Sequence, residues 1–156
     1  MDRLQTITQE VYNLINKHCP GSKSYFESHL TGVSNYAAML AGKREESEEL
    51  AAIAGMLHDI YQITHGTIRK HAKLGAPIAK EILVSTGLFN EKEVEIIRHA
   101  ISIHNKKEMI HGSFDEVLKD ADVLDHYGGI DFNYRSLYDG DEEAVRFKSM
   151  MDELST

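Results

Sequence analysis

The sequence predicts an all-α fold, a compact helical bundle. Three observations carry this. Apolar residues recur at steps of three and four along most of the chain, the period of one helix face. No segment alternates apolar and polar positions with β-branched enrichment, so no sheet of consequence is expected. Gly, Pro and Asn punctuate the pattern about one helix apart.

The elements follow in order. Residues 2–18 form the first expected helix, stopped by Cys19, Pro20 and Gly21. Residues 23–41 form a second, ending near Gly42. Residues 46–58 form a third, rich in Ala, Leu and Glu, and a loop holding "QITHGT" follows. Residues 68–86 form a fourth, closed by Gly87, and residues 91–104 a fifth, with Asn90 as N-cap. After a polar loop over 105–112, residues 114–126 form a sixth, ended by Gly128 and Gly129. The last spans about 141–154, where Val145, Met150, Met151 and Leu154 are spaced to pack an apolar face on the core.

A chain of 156 residues suits one domain over 1–156 with a single core. Its formal charge of −8 argues against nucleic acid or an anionic membrane as partner, since both need basic patches. A small anionic ligand stays compatible, because a local site can oppose the overall field. Cys19 is the only cysteine, so no intrachain disulfide forms; with the polar N-terminus this points to the cytoplasm. Nothing in the chain chooses between a monomer and a homodimer.

Histidine phase is the informative signal. At about 100° per residue, His71 shares a face with Leu74, Gly75, Ile78 and Ile82, which puts it in the middle of an apolar stripe. Gly75, one turn on, would let a backbone or a ligand come close. His29 shares its face with Phe26, Val33, Tyr36 and Leu40, while Thr31, Ser34 and Asn35 face away. His104 falls on the arc of Val94, Ile97 and Ile101, and His99 lies near its edge. One inward histidine is ordinary core chemistry. Three helices each sending one inward, with a fourth ending at His58-Asp59, would leave imidazoles and carboxylates in conflict unless a divalent cation is shared. The string "LKDADVLDHYGG" offers Asp120, Asp122 and Asp125 as further acids. Phase against Phe114, Val117, Leu118, Ala121 and Leu124 leaves the choice between Asp122 and Asp125 open.

The ordered strings "SHLTGVSNYAAMLA", "AAIAGMLHDI" and "KDADVLD" resemble the HD superfamily of metal-dependent phosphohydrolases. "HAKLGAPIAKEIL" and "AISIHN" are similar to the two extra histidine motifs of its two-metal branch, closest to bacterial diadenosine-tetraphosphate hydrolase-like members. The resemblance implies an HD-type bundle. It implies that His29, His58, Asp59 and Asp122 hold one metal, that His71 and His104 hold a second, and that Asp59 bridges both and positions the catalytic water. Asp120 and Asp125 would orient ligands. The chain lacks a "GYP" string, has Gln62 where the signalling-dinucleotide branch carries lysine, and lacks the glutamate that the 5′-nucleotidase branch carries after HD.

The expected activity is hydrolysis of a small phosphate ester or nucleotide through a metal-activated water, with one or two divalent ions. The nitrogen and oxygen donors favour Fe or Mn and accommodate Co, Ni, Zn or Mg. Two alternatives share the ligand set: a di-iron oxygenase of the same fold, and a non-catalytic metal- or nucleotide-binding module. No substrate-binding residue is assigned; Lys43, Arg44, Arg69, Lys70 and Lys73 read as charged surface.

Overall fold

The computed structural model describes residues 1–128 and 142–155. Helix boundaries follow capping chemistry. The Asp2 carboxylate accepts from the Gln5 amide and the Gln5 side chain accepts from the Asp2 amide, opening α1 (Arg3–His18). A single 3-10 turn, Pro20–Ser22, leads into α2 (Lys23–Lys43). Ser47 accepts from the Leu50 amide and opens α3 (Glu48–Leu57). Next come α4 (Ile60–His65) and α5 (His71–Thr86), the latter closed by Gly87 at φ 68°, a left-handed turn that favours glycine. Asn90 and Glu93 form the reciprocal cap of α6 (Glu91–Ile103). Helix α7 (Ser113–Gly128) and helix α8 (Glu142–Leu154) complete the set. The described residues contain no strand, as the sequence predicts, and no helix long and apolar enough to cross a membrane. The expected stop at Gly129 and the expected helix start at Asp141 lie outside the described residues.

Two elements depart from the sequence reading. Residues 60–65 form α4, where a loop was expected. Ile60 and Ile63, three apart, are both buried and anchor this short helix. Gly66, at φ 68°, ends it. Helix α5 starts at His71 rather than at 68, because Lys70 takes a left-handed conformation at φ 55°.

Helices α2 and α3 pack closely, α7 lies against α2, and α5 lies against α6. Helix α1 covers α3 and α4, and α8 packs on α7. The shared core runs through Ile15, Leu30, Val33, Leu40, Ile53, Leu57, Ile97 and Val117. A Cβ on Gly55 would stand 2.9 Å from the Cα of Ser34, so glycine is what lets α3 approach α2 this closely. Ser34 is buried against α3, its hydroxyl donating to the Ala52 carbonyl at 2.9 Å, not facing away as expected.

On α5 the buried stripe is Ala72, Gly75, Ala76, Ala79 and Leu83. His71 therefore sits at the stripe's margin, not its middle, and Leu74 is exposed. Gly75 rests on Tyr61 of α4, where a Cβ would find ordinary contact at 3.4 Å, so no ligand approach depends on it. On α8 the inward residues are Ala144, Arg146 and Met150, with Phe147 stacked on Tyr127. Val145 and Met151 face solvent instead.

Candidate metal centre

The apolar run of α3 ends at His58, and the chain turns there before α4 begins. This turn places His58 and Asp59 at the inner ends of two helices. His58 is 0% exposed, Asp59 6%. His29 arrives from the middle of α2, His104 from the end of α6, His71 from the start of α5 and Asp122 from α7. These six side chains, drawn from five segments of chain, converge.

The convergence has an internal order. One oxygen of Asp59, Oδ2, lies 3.2 Å from His29 Nε2 and 3.2 Å from His58 Nε2. Its other oxygen, Oδ1, lies 3.5 Å from His71 Nε2 and 3.6 Å from His104 Nε2. The two histidine pairs are close as well, with Nε2 atoms 3.2 Å apart for His29 and His58, and 3.1 Å apart for His71 and His104. Asp122 Oδ1 stands 3.4 Å from His29 Nε2 and 3.5 Å from His58 Nε2.

With neutral rings those contacts would set acceptor against acceptor. Each Nδ1 faces an acceptor and so carries the ring proton: His58 donates to the Gly55 carbonyl at 2.6 Å, His71 to Ile68 at 2.8 Å, His104 to Ile101 at 2.7 Å, and His29 to Asp125 Oδ2 at 2.7 Å. In the neutral rings every Nε2 then offers a lone pair to the same small space as the carboxylate oxygens. Among the described residues, Asp122 Oδ1 is buried with no hydrogen-bond partner. A cation answers this donor set. Two atoms bound to one ion at about 2.1 Å lie about 3.0 Å apart in an octahedron and about 3.4 Å apart in a tetrahedron, close to the 3.1–3.6 Å seen here.

The electrostatics ask for positive charge at the same place. Burial opposes charging of His29, yet Asp122, Asp125 and Asp59 push it up to about 12. Burial opposes charging of His58 too, and Asp59 with Asp122 raises it to about 9. Burial works against ionisation of Asp59, but His58, His104 and His29 hold its carboxyl well below the usual range. Asp122 is likewise held low, against burial, by Lys107 and then His29 and His58. His104, by contrast, is lowered by burial, with Asp59 opposing.

Around the cluster, Asp125 orients His29, in the position the resemblance implies. Asp120 does not orient a ligand: it pairs with Arg44 at 2.8 Å and with Arg146 at 3.0 Å, behind the site. His99 sits outside, half exposed, on Asp115. Arg44 is tied to Asp120 and Glu153. Arg69, Lys70 and Lys73 are exposed and do not line the cavity over the cluster.

That cavity holds about 450 Å³, and its wall includes Tyr25, Ile68, Lys107, His126 and Glu143. Sequence reasoning passed over two neighbours of the cluster. His126 stacks on His29 with ring centroids 5.3 Å apart, and its Nε2 is 3.7 Å from Asp122 Oδ1. It lies four residues after Asp122, the one-turn spacing that could have found it. Lys107, three residues after His104, donates to Asp122 Oδ2 at 2.9 Å.

An all-helical protein whose core gathers histidines and aspartates able to hold metal is the class that fold and site define. The HD domain model matches residues 26–127, and the chain belongs to that family, a superfamily of metal-dependent phosphohydrolases. No curated protein and no solved structure matches the chain.

Proposed function

We propose that the protein is a metal-dependent phosphohydrolase of the two-metal, diadenosine-tetraphosphate hydrolase-like branch, acting on a small phosphate ester or nucleotide. One observation carries the reading: four imidazole Nε2 atoms and two buried carboxylates, drawn from five segments of chain, converge on one space. In this reading His29, His58, Asp59 and Asp122 would hold one divalent ion, and His71 and His104, with Asp59, would hold another. Fe or Mn suits the mixed imidazole and carboxylate donors best. Bound divalent ions acidify water and polarise a phosphoryl oxygen.

The chain's own part is preorganisation. The carbonyls of Gly55, Ile68 and Ile101, with the carboxylate of Asp125, fix four imidazoles in one tautomer and one orientation. Asp59 directs one oxygen to each histidine pair, where it would help to position a water activated by bound ions. The burial of His29, His58, Asp59, His104 and Asp122 strengthens the charge interactions among them.

The test is metal content and phosphate release on protein purified without chelator. Wild type is expected to carry at least one ion per chain and to release phosphate from a panel of phosphomonoesters, mononucleotides and dinucleoside polyphosphates under anaerobic conditions. Phosphate release that requires O₂ would point to the oxygenase alternative. Asp59→Ala is expected to lose both metal and turnover. His104→Ala should lose the second ion and keep much of the first, whereas His99→Ala should change little. A folded wild type that takes up no divalent ion would overturn the assignment.

A further inference from the structure

The loop between α6 and α7 brings a cation to the cluster that the ligand set does not use. Lys107 is nearly buried, with 11% of its side chain exposed. Its ammonium donates to Asp122 Oδ2 at 2.9 Å and to the His104 carbonyl at 2.6 Å. It thereby touches a residue from each of the two proposed ion positions. By occupying Oδ2 it leaves Oδ1 of Asp122 as the atom turned toward His29 and His58. An ammonium has three N–H groups. Two have partners among the described residues, and Lys107 lines the cavity over the cluster.

The loop is held firmly enough to place this group. Arg146 of α8 donates to the Lys107 carbonyl at 2.8 Å and to the Met109 carbonyl at 2.7 Å. Lys119, 0% exposed, donates to the same Met109 carbonyl at 2.9 Å. Arg146 is itself fixed by Asp120 and Glu116. A lysine anchored at both its backbone and its tip is unlike a surface lysine, whose side-chain entropy disfavours a fixed contact.

We infer that Lys107 is a substrate contact: its third N–H binds a non-bridging oxygen of the phosphoryl group at the centre, while one of the other two holds Asp122 Oδ2 and the other the His104 carbonyl. This rests on the phosphohydrolase reading and adds to it the residue that recognises the phosphoryl group. A fixed ammonium beside a transferring phosphoryl group stabilises the charge on its outer oxygens without reorganising.

The experiment uses the full-length chain loaded with Mn²⁺. Inorganic phosphate is the binding probe, read by calorimetry, and para-nitrophenyl phosphate is the turnover probe. Lys107→Met is expected to keep its metal content while phosphate binding weakens about tenfold or more, and Lys107→Arg is expected to recover most of that loss. Turnover should fall through both a raised KM and a lowered kcat. Phosphate affinity equal to wild type in the loaded Lys107→Met protein would overturn the inference, as would loss of phosphate binding only in proportion to lost metal. If Lys107→Met does not fold, Lys107→Gln, which keeps one polar group at the position, is read by the same criteria. Wild type that turns over nothing yet binds phosphate through Lys107 would remove the phosphohydrolase reading and keep the contact. Wild type that hydrolyses the probe, with Lys107→Met unimpaired, would do the reverse.

Discussion

Gly32 shows how a residue with no side chain can govern the candidate metal centre. A Cβ at this position would fall 1.9 Å from Asp125 Oδ1, inside the space the carboxylate needs to reach His29. Gly32→Ala is therefore expected to fold, because only a side-chain tip must move, but to push Asp125 off the Nδ1 of His29. Orienting partners of this kind are worth about 10- to 100-fold in metal affinity. Metal titration of the variant checks this, and unchanged affinity would show that Asp125 is not needed to aim the ring. The residue scale is also where the sequence was most and least legible. His29 and His104 could be read as inward because each sits within a long helical stripe that fixes its phase. Asp122 could not, because it lies at the edge of its helix's apolar arc, and only the family motif singled it out. Lys107 was invisible for another reason: it follows the end of α6, in a loop where helical phase has no meaning.

At the scale of elements, the crossing of α2 and α3 is the contact that brings His29 to His58. Gly55 makes it possible, and its carbonyl also takes the His58 ring proton. A methyl group there would meet the backbone of Ser34, at 2.9 Å from both Cα and N, which cannot rotate away. Gly55→Ala is expected to destabilise the fold by about 1–3 kcal/mol, the usual cost of overpacking, as measured by urea unfolding. A neutral result would mean that α3 can slide without loss. The elements themselves were legible where helices are long: every long helix expected from the sequence is present. The miss was α4, whose inward face holds only Ile60 and Ile63. Two apolar residues cannot establish a period, and the helix forms because α1 and α5 supply a surface for it. The start of α5 was misplaced because Lys70 adopts a left-handed turn that its side chain does not advertise.

For the whole molecule, the centre ties stability to pH. His29 and His58 are raised from an ordinary 6.5 to about 12 and about 9 in the cation-free cluster. Their charged forms then contribute stability that is complete below about pH 6.5 and is lost as pH climbs through about 9 and beyond. Asp59 and Asp122 act oppositely. Their contribution is present above the ordinary 3.8 and is lost as pH falls through their lowered values. Protein stripped by chelator is therefore expected to melt at lower temperature at about pH 8.5 than at about pH 6.5. Manganese should restore more at the higher pH, because the imidazoles there have fewer protons to surrender before they can bind. Melting curves with and without the ion at both pH values check this. Equal increments would mean that no proton is displaced.

The six converging side chains are strung along the chain from His29 to Asp122, with Lys107 steadied by Arg146 of α8. During synthesis the earliest of them leaves the ribosome long before the last. A nascent chain carries imidazoles without their closing acid until α7 has emerged. On the proposed ligand set, the position that uses His29, His58, Asp59 and Asp122 is completed last, once α7 has emerged and the bundle closes around it.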